Sequence, residues 1–182
     1  MRNYPQWMLF KTEQRGDRLE KFPVSPHTGK VVDAHDPQHW VTYDTALAAL
    51  AVIPGSQGIT FSFTESDPFF FIDIDHCLQA DGQWAPNALQ LCAAFPGAEV
   101  EVSVSGTGLH IFGIGAPLPD YKVKARDGSF DIYTAKRFVA YTSNGTGDAT
   151  QWDHSTALQA TQAARFDMRR STNGSGLPLT MS

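Results

Sequence analysis

The alternation of apolar and polar positions along the chain predicts a succession of short strands interrupted by three brief helices. Gln6 to Lys11 opens as a strand, and the charged residues after it lead into Lys21-Phe-Pro-Val-Ser-Pro-His-Thr-Gly-Lys30, where proline and glycine predict turns. Asp44 or Thr45 is placed to cap a helix over residues 46–51, which has to end before Pro54 and Gly55. Ile59 to Thr64 alternates in the manner of a half-buried strand. Phe69-Phe-Phe-Ile-Asp-Ile-Asp75 starts too apolar for a surface strand, and its β-branched and aromatic content favours a central strand over a helix. A helix follows over residues 85–95, with Pro86 in its first turn. Val100, Val102 and Val104 then alternate with Glu and Ser from Glu99 to Ser105. Gly106-Thr-Gly108 turns that strand back into Leu109 to Ile114, which predicts a hairpin. Strands at Ser129 to Tyr133 and Phe138 to Thr142 and a helix at Ser155 to Ala164 complete a domain over residues 1–168. Residues 169–182, rich in Ser, Thr and Gly, read as a flexible tail or linker within a longer protein.

Composition narrows the class of protein. At 182 residues the chain supports one hydrophobic core. Its longest apolar runs fall short of the roughly 18 residues of a membrane span, and the N-terminus lacks a signal peptide's apolar stretch, so a cytoplasmic location is expected. Cys77 and Cys92 form no C-x-x-C pair and read as buried thiols rather than as disulfide or zinc ligands. A net charge of -5 argues against nucleic-acid binding through overall charge, so any contact with DNA has to be local. Basic residues cluster at Lys11, Arg15, Arg18 and Lys21, at Lys122, Lys124 and Arg126, and at Lys136 and Arg137; most of these read as solvated loops.

Three short segments carry chemistry. Because side chains alternate across a strand, Asp73 and Asp75 project from one side of their strand while Phe70, Ile72 and Ile74 point to the other. Two adjacent carboxylates resist joint ionisation unless a cation lies between them, and oxygen-only ligation suits Mg²⁺ or Mn²⁺. The bland alternative is a turn cap at Asp75 and a merely exposed Asp73. In Ser103-Val-Ser-Gly-Thr-Gly-Leu-His110, hydroxyls, a glycine turn and a histidine share one hairpin whose backbone N–H groups suit phosphate, with Gly106 allowing close approach. His110 lies between Leu109 and Ile111, on the strand face opposite both, and so either joins the carboxylates or is a core histidine bonded to a carbonyl. In Phe130-Asp-Ile-Tyr133 a third acid, Asp131, occupies the non-core face, and Lys136 and Arg137 follow as candidates for a triphosphate or as solvated turn residues.

In this order, the Asp-x-Asp pair, the serine, glycine and histidine segment and the later single acid resemble the archaeo-eukaryotic primase superfamily, closest to the primase-polymerase domains of phages and plasmids. The resemblance spans roughly residues 5–145, since Lys21 to Lys30 with Asp36-Pro37 and Trp40 is similar to the lead-in segment of those phage domains. It implies an α+β fold, the archaeo-eukaryotic primase catalytic fold, in which an RRM-like mixed β-sheet packed with helices accompanies an N-terminal αβ lobe. It implies DNA primase or DNA polymerase activity, a nucleotidyltransferase reaction of phage or plasmid DNA replication. Asp73, Asp75 and Asp131 would be its catalytic residues and the ligands of two Mg²⁺ or Mn²⁺ ions. Ser103, Ser105, Gly106, His110, Lys136 and Arg137 would bind the nucleotide. The partners implied are a single-stranded DNA template, a primer strand and NTP or dNTP, with room for a helicase region or protein, and no membrane. The histidine motif departs from a compact S-x-H, which leaves open whether Ser103 or Ser105 meets the nucleotide. The RNA-binding aromatic signature of an RRM is absent, so the sheet is expected to be a catalytic platform rather than a base-stacking surface.

Two other readings compete. A non-catalytic nucleotide- or DNA-binding module of the same fold is disfavoured by the presence of all three acids. A rolling-circle replication endonuclease needs a paired-histidine metal motif and a tyrosine nucleophile; Leu109-His-Ile offers one histidine, and Tyr133 and Tyr141 have no context as nucleophiles. Pro37 between His35 and His39 disfavours the helix that would align them on a metal. His76 points away from the acids if its strand continues.

Overall fold

In the computed structural model, residues 1–164 are described; the expected tail, residues 169–182, and the last residues of the expected domain lie outside them. The described strands form two sheets. The first has the order β2-β1-β3-β9 and is built from β1 (Trp7–Arg15), β2 (Arg18–Val24), β3 (Gly58–Phe63) and β9 (Arg137–Tyr141). The second has the order β5-β6-β4-β8-β7, from β4 (Phe69–Ile74), β5 (Glu99–Val102), β6 (Leu109–Ile114), β7 (Lys122–Lys124) and β8 (Asp131–Tyr133). The helices are α1 (Tyr43–Leu50), α2 (Pro86–Ala93) and α3 (Ser155–Ala164). The α+β class is as expected, but every ladder between these strands is antiparallel, so the expected mixed sheet is corrected to two antiparallel ones. The long crossover from β4 through α2 to β5 does leave β4 and β5 running the same way, but β6 inserts between them and pairs antiparallel with both.

The apolar pattern explains the layering. β4 is buried on both faces, as its run of Phe and Ile requires. Phe69 and Phe71 join Phe112 and Tyr133 in a core shared with Trp7, Leu9, Phe61, Phe63 and Val139 of the first sheet. Phe70, Ile72 and Ile74 turn the other way, with Ile111, Ile132 and Val123, onto Ala88 and Leu91 of α2 and Leu158 of α3. The central strand is thus sandwiched between a sheet and a helical layer. Phe71 stacks on Phe112 at 5.3 Å and on Tyr133 at 5.8 Å, which ties β6, β4 and β8 into one aromatic row.

Several local expectations meet the structure closely. β6 and α3 have the expected bounds, Pro86 occupies the first turn of α2, and β5 and β6 form the expected hairpin. The helix cap is Thr42, whose hydroxyl accepts from the Thr45 N–H, rather than Asp44 or Thr45. β2 runs through residues read as turn, because Pro23 sits near the end of a strand on the edge of its sheet, where a missing N–H is tolerated. β7 was read only as a basic loop; it is an edge strand of three residues in which Val123 alone is buried. Cys77 is buried, whereas Cys92 is half-buried; both are free thiols. Among the described residues no helix is long and apolar enough to cross a membrane.

Phe71→Ala removes the middle ring of the aromatic row and leaves a cavity between the sheets. It is expected to cost about 3–5 kcal/mol of stability, read as a fall in the midpoint of urea unfolding.

Candidate active site

The registers of the second sheet place five polar residues on one transverse row. Glu101 of β5 pairs with His110 of β6, His110 with Asp73 of β4, Asp73 with Asp131 of β8, and Asp131 with Lys124 of β7. Directly paired residues share a face of a sheet, so the row Glu101–His110–Asp73–Asp131–Lys124 lies along one surface. One step along the strands lies the row Phe112–Phe71–Tyr133–Lys122, whose rings are part of the core between the sheets. The polar row is therefore the continuation of the aromatic one, at the point where apolar packing gives way to charge. These aromatics are buried and unavailable as a base-stacking surface.

Asp73 is at the middle of this row. Its Oδ1 lies 3.7 Å from Nε2 of His110 and its Oδ2 lies 3.8 Å from the Arg137 guanidinium, both beyond hydrogen-bond length. Burial pushes its carboxyl above the ordinary Asp range. His110 opposes that shift, Asp75 adds to it, and Arg137 and Lys21 oppose it. Asp75 stands one residue beyond the end of β4 and is exposed. Immediately after it the backbone turns at His76, which adopts a φ of 51°, so the strand continuation assumed for His76 does not occur.

Asp131 is held differently. The Tyr133 hydroxyl donates to its Oδ2 at 2.8 Å, and the ammonium groups of Lys122 and Lys124 lie 3.4 and 3.6 Å from the same oxygen. Burial pushes the Tyr133 phenol up, Arg137 pulls it down, and the bond to Asp131 pushes it up again, so it stays a donor.

His110, 3% exposed, is not bonded to a backbone carbonyl. Its Nδ1 lies 2.9 Å from Oε1 of Glu101, and its ring stands edge-on to Phe71 at 5.0 Å. The turn before it fits tightly against the acids. A Cβ on Gly108 would fall 2.8 Å from the Ile74 carbonyl oxygen and 3.0 Å from Ser103 Oγ, so this position admits no side chain. Ser103 Oγ accepts from the Gly108 N–H at 3.2 Å and pairs with Ser105 Oγ at 2.9 Å. Ser103 is thus a buried brace of the turn, and Ser105 the exposed hydroxyl. Gly106, with a φ of 76°, supplies the left-handed step of the turn.

The two cations after β8 part company. Arg137 lies over the Tyr133 ring at 4.7 Å and faces Asp73. Lys136 instead bonds Glu65 at 2.8 Å and lies over the Tyr121 ring at 4.4 Å, on a different side of the loop. The structure also adds residues that the sequence reading passed over. Lys21 of β2 keeps an exposed surface, yet burial of its ammonium group lowers its pKa, with Asp73, Asp75 and Glu101 pulling the other way and Arg137 adding to the fall. It belongs to the electrostatic surroundings of the acids. Glu101 was hidden in an alternating strand, although a hairpin about Gly106-Thr-Gly108 places it across from His110. His35 and His39 contribute nothing here: His35 reaches Ser62 and His39 reaches Asp36.

Among the described residues no group of three or more His, Cys, Asp or Glu side chains is arranged so as to hold a metal ion. In donor type alone the acids suit a hard divalent cation: Asp73 and Asp131 are directly paired, both offer oxygen, and among the described residues no hydrogen bond takes up either oxygen of Asp73.

The raised Asp73 carboxyl has a definite sign in stability. Its folded state holds a proton more tightly than its unfolded state, so in metal-free buffer its contribution falls as pH rises from the unfolded Asp value through the raised folded one. Asp73→Asn is expected to be more stable than wild type at neutral pH, with the gain shrinking as pH falls through that window. Thermal melts in EDTA across the acid range measure it.

No protein-family model matches the sequence. Against curated proteins, the chain is 36% identical to a DNA primase-polymerase of Nitratiruptor phage NrS-1 over 161 residues, covering 82% of this chain. The chain spans 21% of that relative's length. This similarity over most of the chain, together with the antiparallel α+β architecture, establishes a relationship to a phage primase-polymerase.

Proposed function

We propose that this chain is the catalytic domain of a primase-polymerase of the archaeo-eukaryotic primase superfamily, performing template-dependent nucleotidyl transfer on DNA. The observation that carries this reading is the direct pairing of Asp73 with Asp131 beside His110 on one row of a central sheet, in a chain similar to a DNA primase-polymerase. In this reading the five-stranded sheet with α2 and α3 would be the RRM-like unit of that fold. The first sheet with α1 would then be the N-terminal lobe, joined by the late strand β9 that pairs with β3.

In this reading Asp73, Asp75 and Asp131 hold two Mg²⁺ or Mn²⁺ ions, and substrate phosphates complete the ligand sets. When bound, the ions supply a more acidic primer 3′-hydroxyl and charge compensation for the leaving pyrophosphate. The residues of the chain do the positioning. Asp73 and Asp131, fixed by strand pairing, set where the reacting groups meet. Arg137, held over the Tyr133 ring, meets the triphosphate with a planar fork of donors. His110 and the Ser105 hydroxyl line the same approach, and the N–H groups of the glycine turn add dipoles for a phosphate. Lys136, occupied by Glu65, has a lesser part than Arg137. Lys122 and Lys124 offset the charge of Asp131 and lie on an edge strand, where a template or primer backbone would find local positive charge despite the net charge of -5. The partners are a single-stranded template, a primer strand and NTP or dNTP.

The test is nucleotide incorporation on single-stranded DNA, with and without a primer, in Mg²⁺ or Mn²⁺. Wild type is expected to give metal-dependent products and Asp73→Ala to give none while remaining folded; activity retained in Asp73→Ala overturns the assignment. Arg137→Ala is expected to lower kcat/KM for the nucleotide by about 10- to 100-fold, the equivalent of one charge-assisted hydrogen bond of roughly 1.5–3 kcal/mol.

A further inference from the structure

Glu101 is the most deeply buried carboxylate beside the site, at 1% exposure, and is neither one of the three acids nor a surface ion pair. A charge removed from water persists only with strong partners. Glu101 has them. Its Oε1 lies 2.9 Å from Nδ1 of His110, and its Oε2 accepts from the Thr142 N–H at 2.9 Å and the Thr142 hydroxyl at 2.7 Å. Thr142 directly follows β9, so Glu101 is clamped by the first sheet on one oxygen while it grips a residue of the second sheet with the other. The Val102 carbonyl at 3.1 Å and Asn144 Oδ1 at 2.8 Å lie within reach of the same Thr142 hydroxyl, whose single proton serves one acceptor at a time, so the backbone N–H is the constant part of the clamp.

A histidine whose Nδ1 is engaged by a carboxylate is left with one nitrogen for other work. Here that nitrogen is Nε2, 3.7 Å from Asp73 and not bonded to it. The ring has little freedom to turn, being edge-on to both Phe71 and Phe112. We propose that Glu101 is a positioning residue for nucleotidyl transfer: it holds the His110 ring with Nδ1 turned inward, so that Nε2 is presented beside Asp73 to the phosphates of the incoming nucleotide. This rests on the function proposed above and assigns Glu101 no contact with substrate. Its role is like that of the carboxylates that orient metal-binding histidines from behind, whose loss costs 10- to 100-fold.

The experiment compares Glu101→Gln, His110→Ala, the double variant and Thr142→Val in the 182-residue chain. It reads kcat and KM for nucleotide incorporation, thermal melts, and the ¹⁵N signals of the His110 ring. Glu101→Gln is expected to lower kcat/KM by about 10- to 100-fold and to shift the ring signals. The double variant is expected to match His110→Ala within about twofold, because a residue acting only through another adds nothing once that one is gone. Thr142→Val removes the hydroxyl bond to Glu101 Oε2 but keeps the backbone N–H bond, and is expected to melt earlier and to lower kcat/KM by clearly less than Glu101→Gln does. A double variant that is worse than His110→Ala by the full Glu101→Gln factor overturns the proposal in favour of a purely structural carboxylate. So does Thr142→Val losing as much activity as Glu101→Gln. If Glu101→Gln fails to fold, the wild-type spectrum decides: an Nδ1 proton bonded to a carboxylate supports the proposal, and a ring protonated only at Nε2 overturns it. Wild type that makes no metal-dependent product overturns the underlying function, whereas an active wild type with an equally active Glu101→Gln overturns only the role of Glu101.

Discussion

The placement of a carboxylate in the middle strand of a five-stranded sheet governs much of this structure. Asp73 sits where a hydrophobic residue would be the stable choice, one step from a row of stacked rings, and its ionised form is disfavoured by burial and by Asp75. The groups around it answer that cost in different ways. His110 and Arg137 approach without closing a hydrogen bond, and Lys21 contributes charge from the other sheet. Asp131 is settled separately by Tyr133 and two lysines. The central acid is thus flanked by Arg137, Lys21 and His110 on one side of the balance and Asp75 on the other, with neither of its oxygens taken up by these groups in a hydrogen bond.

The aromatic row gives this arrangement its rigidity. Phe112, Phe71 and Tyr133 fill the space between the sheets, and their strands carry His110, Asp73 and Asp131 two residues further along. Side chains two positions from a packed ring inherit its register, so the acids are aligned by hydrophobic burial rather than by contacts with each other. The hairpin of β5 and β6 adds a second constraint, since the absence of a side chain at Gly108 lets the serine turn lie against the Ile74 carbonyl.

Much of this was legible in the sequence, and what was missed has physical causes. The period of two in Phe70, Ile72 and Ile74 was enough to set Asp73 on the opposite face, and the same argument set Asp131 on the non-core face of its strand while leaving His110 open between the acids and the core. Alternation within one strand does not give the register between strands, so the pairing of Asp73 with both His110 and Asp131 had to come from the structure. For the same reason Glu101 drew no reading of its own within an alternating strand, although its partner is nine residues away across a turn. Lys136 and Arg137 are adjacent and looked equivalent. They differ because Lys136 takes a left-handed backbone, φ 54°, which sends it towards Glu65 while Arg137 enters β9. β2 was obscured by Pro23, whose cost is small on an edge strand.

The crossing from β8 to β9 is three residues long, Thr134 to Lys136, and it carries the chain from one sheet to the other. Asp131 and Arg137 are therefore separated by a short tether while belonging to different layers, and Asp73 lies between them on a third strand. In mechanical terms the layers form a vice with one stiff arm: sliding one sheet over the other alters the gap between Arg137 and Asp73 but leaves Asp73 and Asp131 in register. The helical layer lies outside this vice, behind Ile72 and Ile132, so α2 and α3 bear on the jaws only through the far face of the strands that carry Asp73 and Asp131.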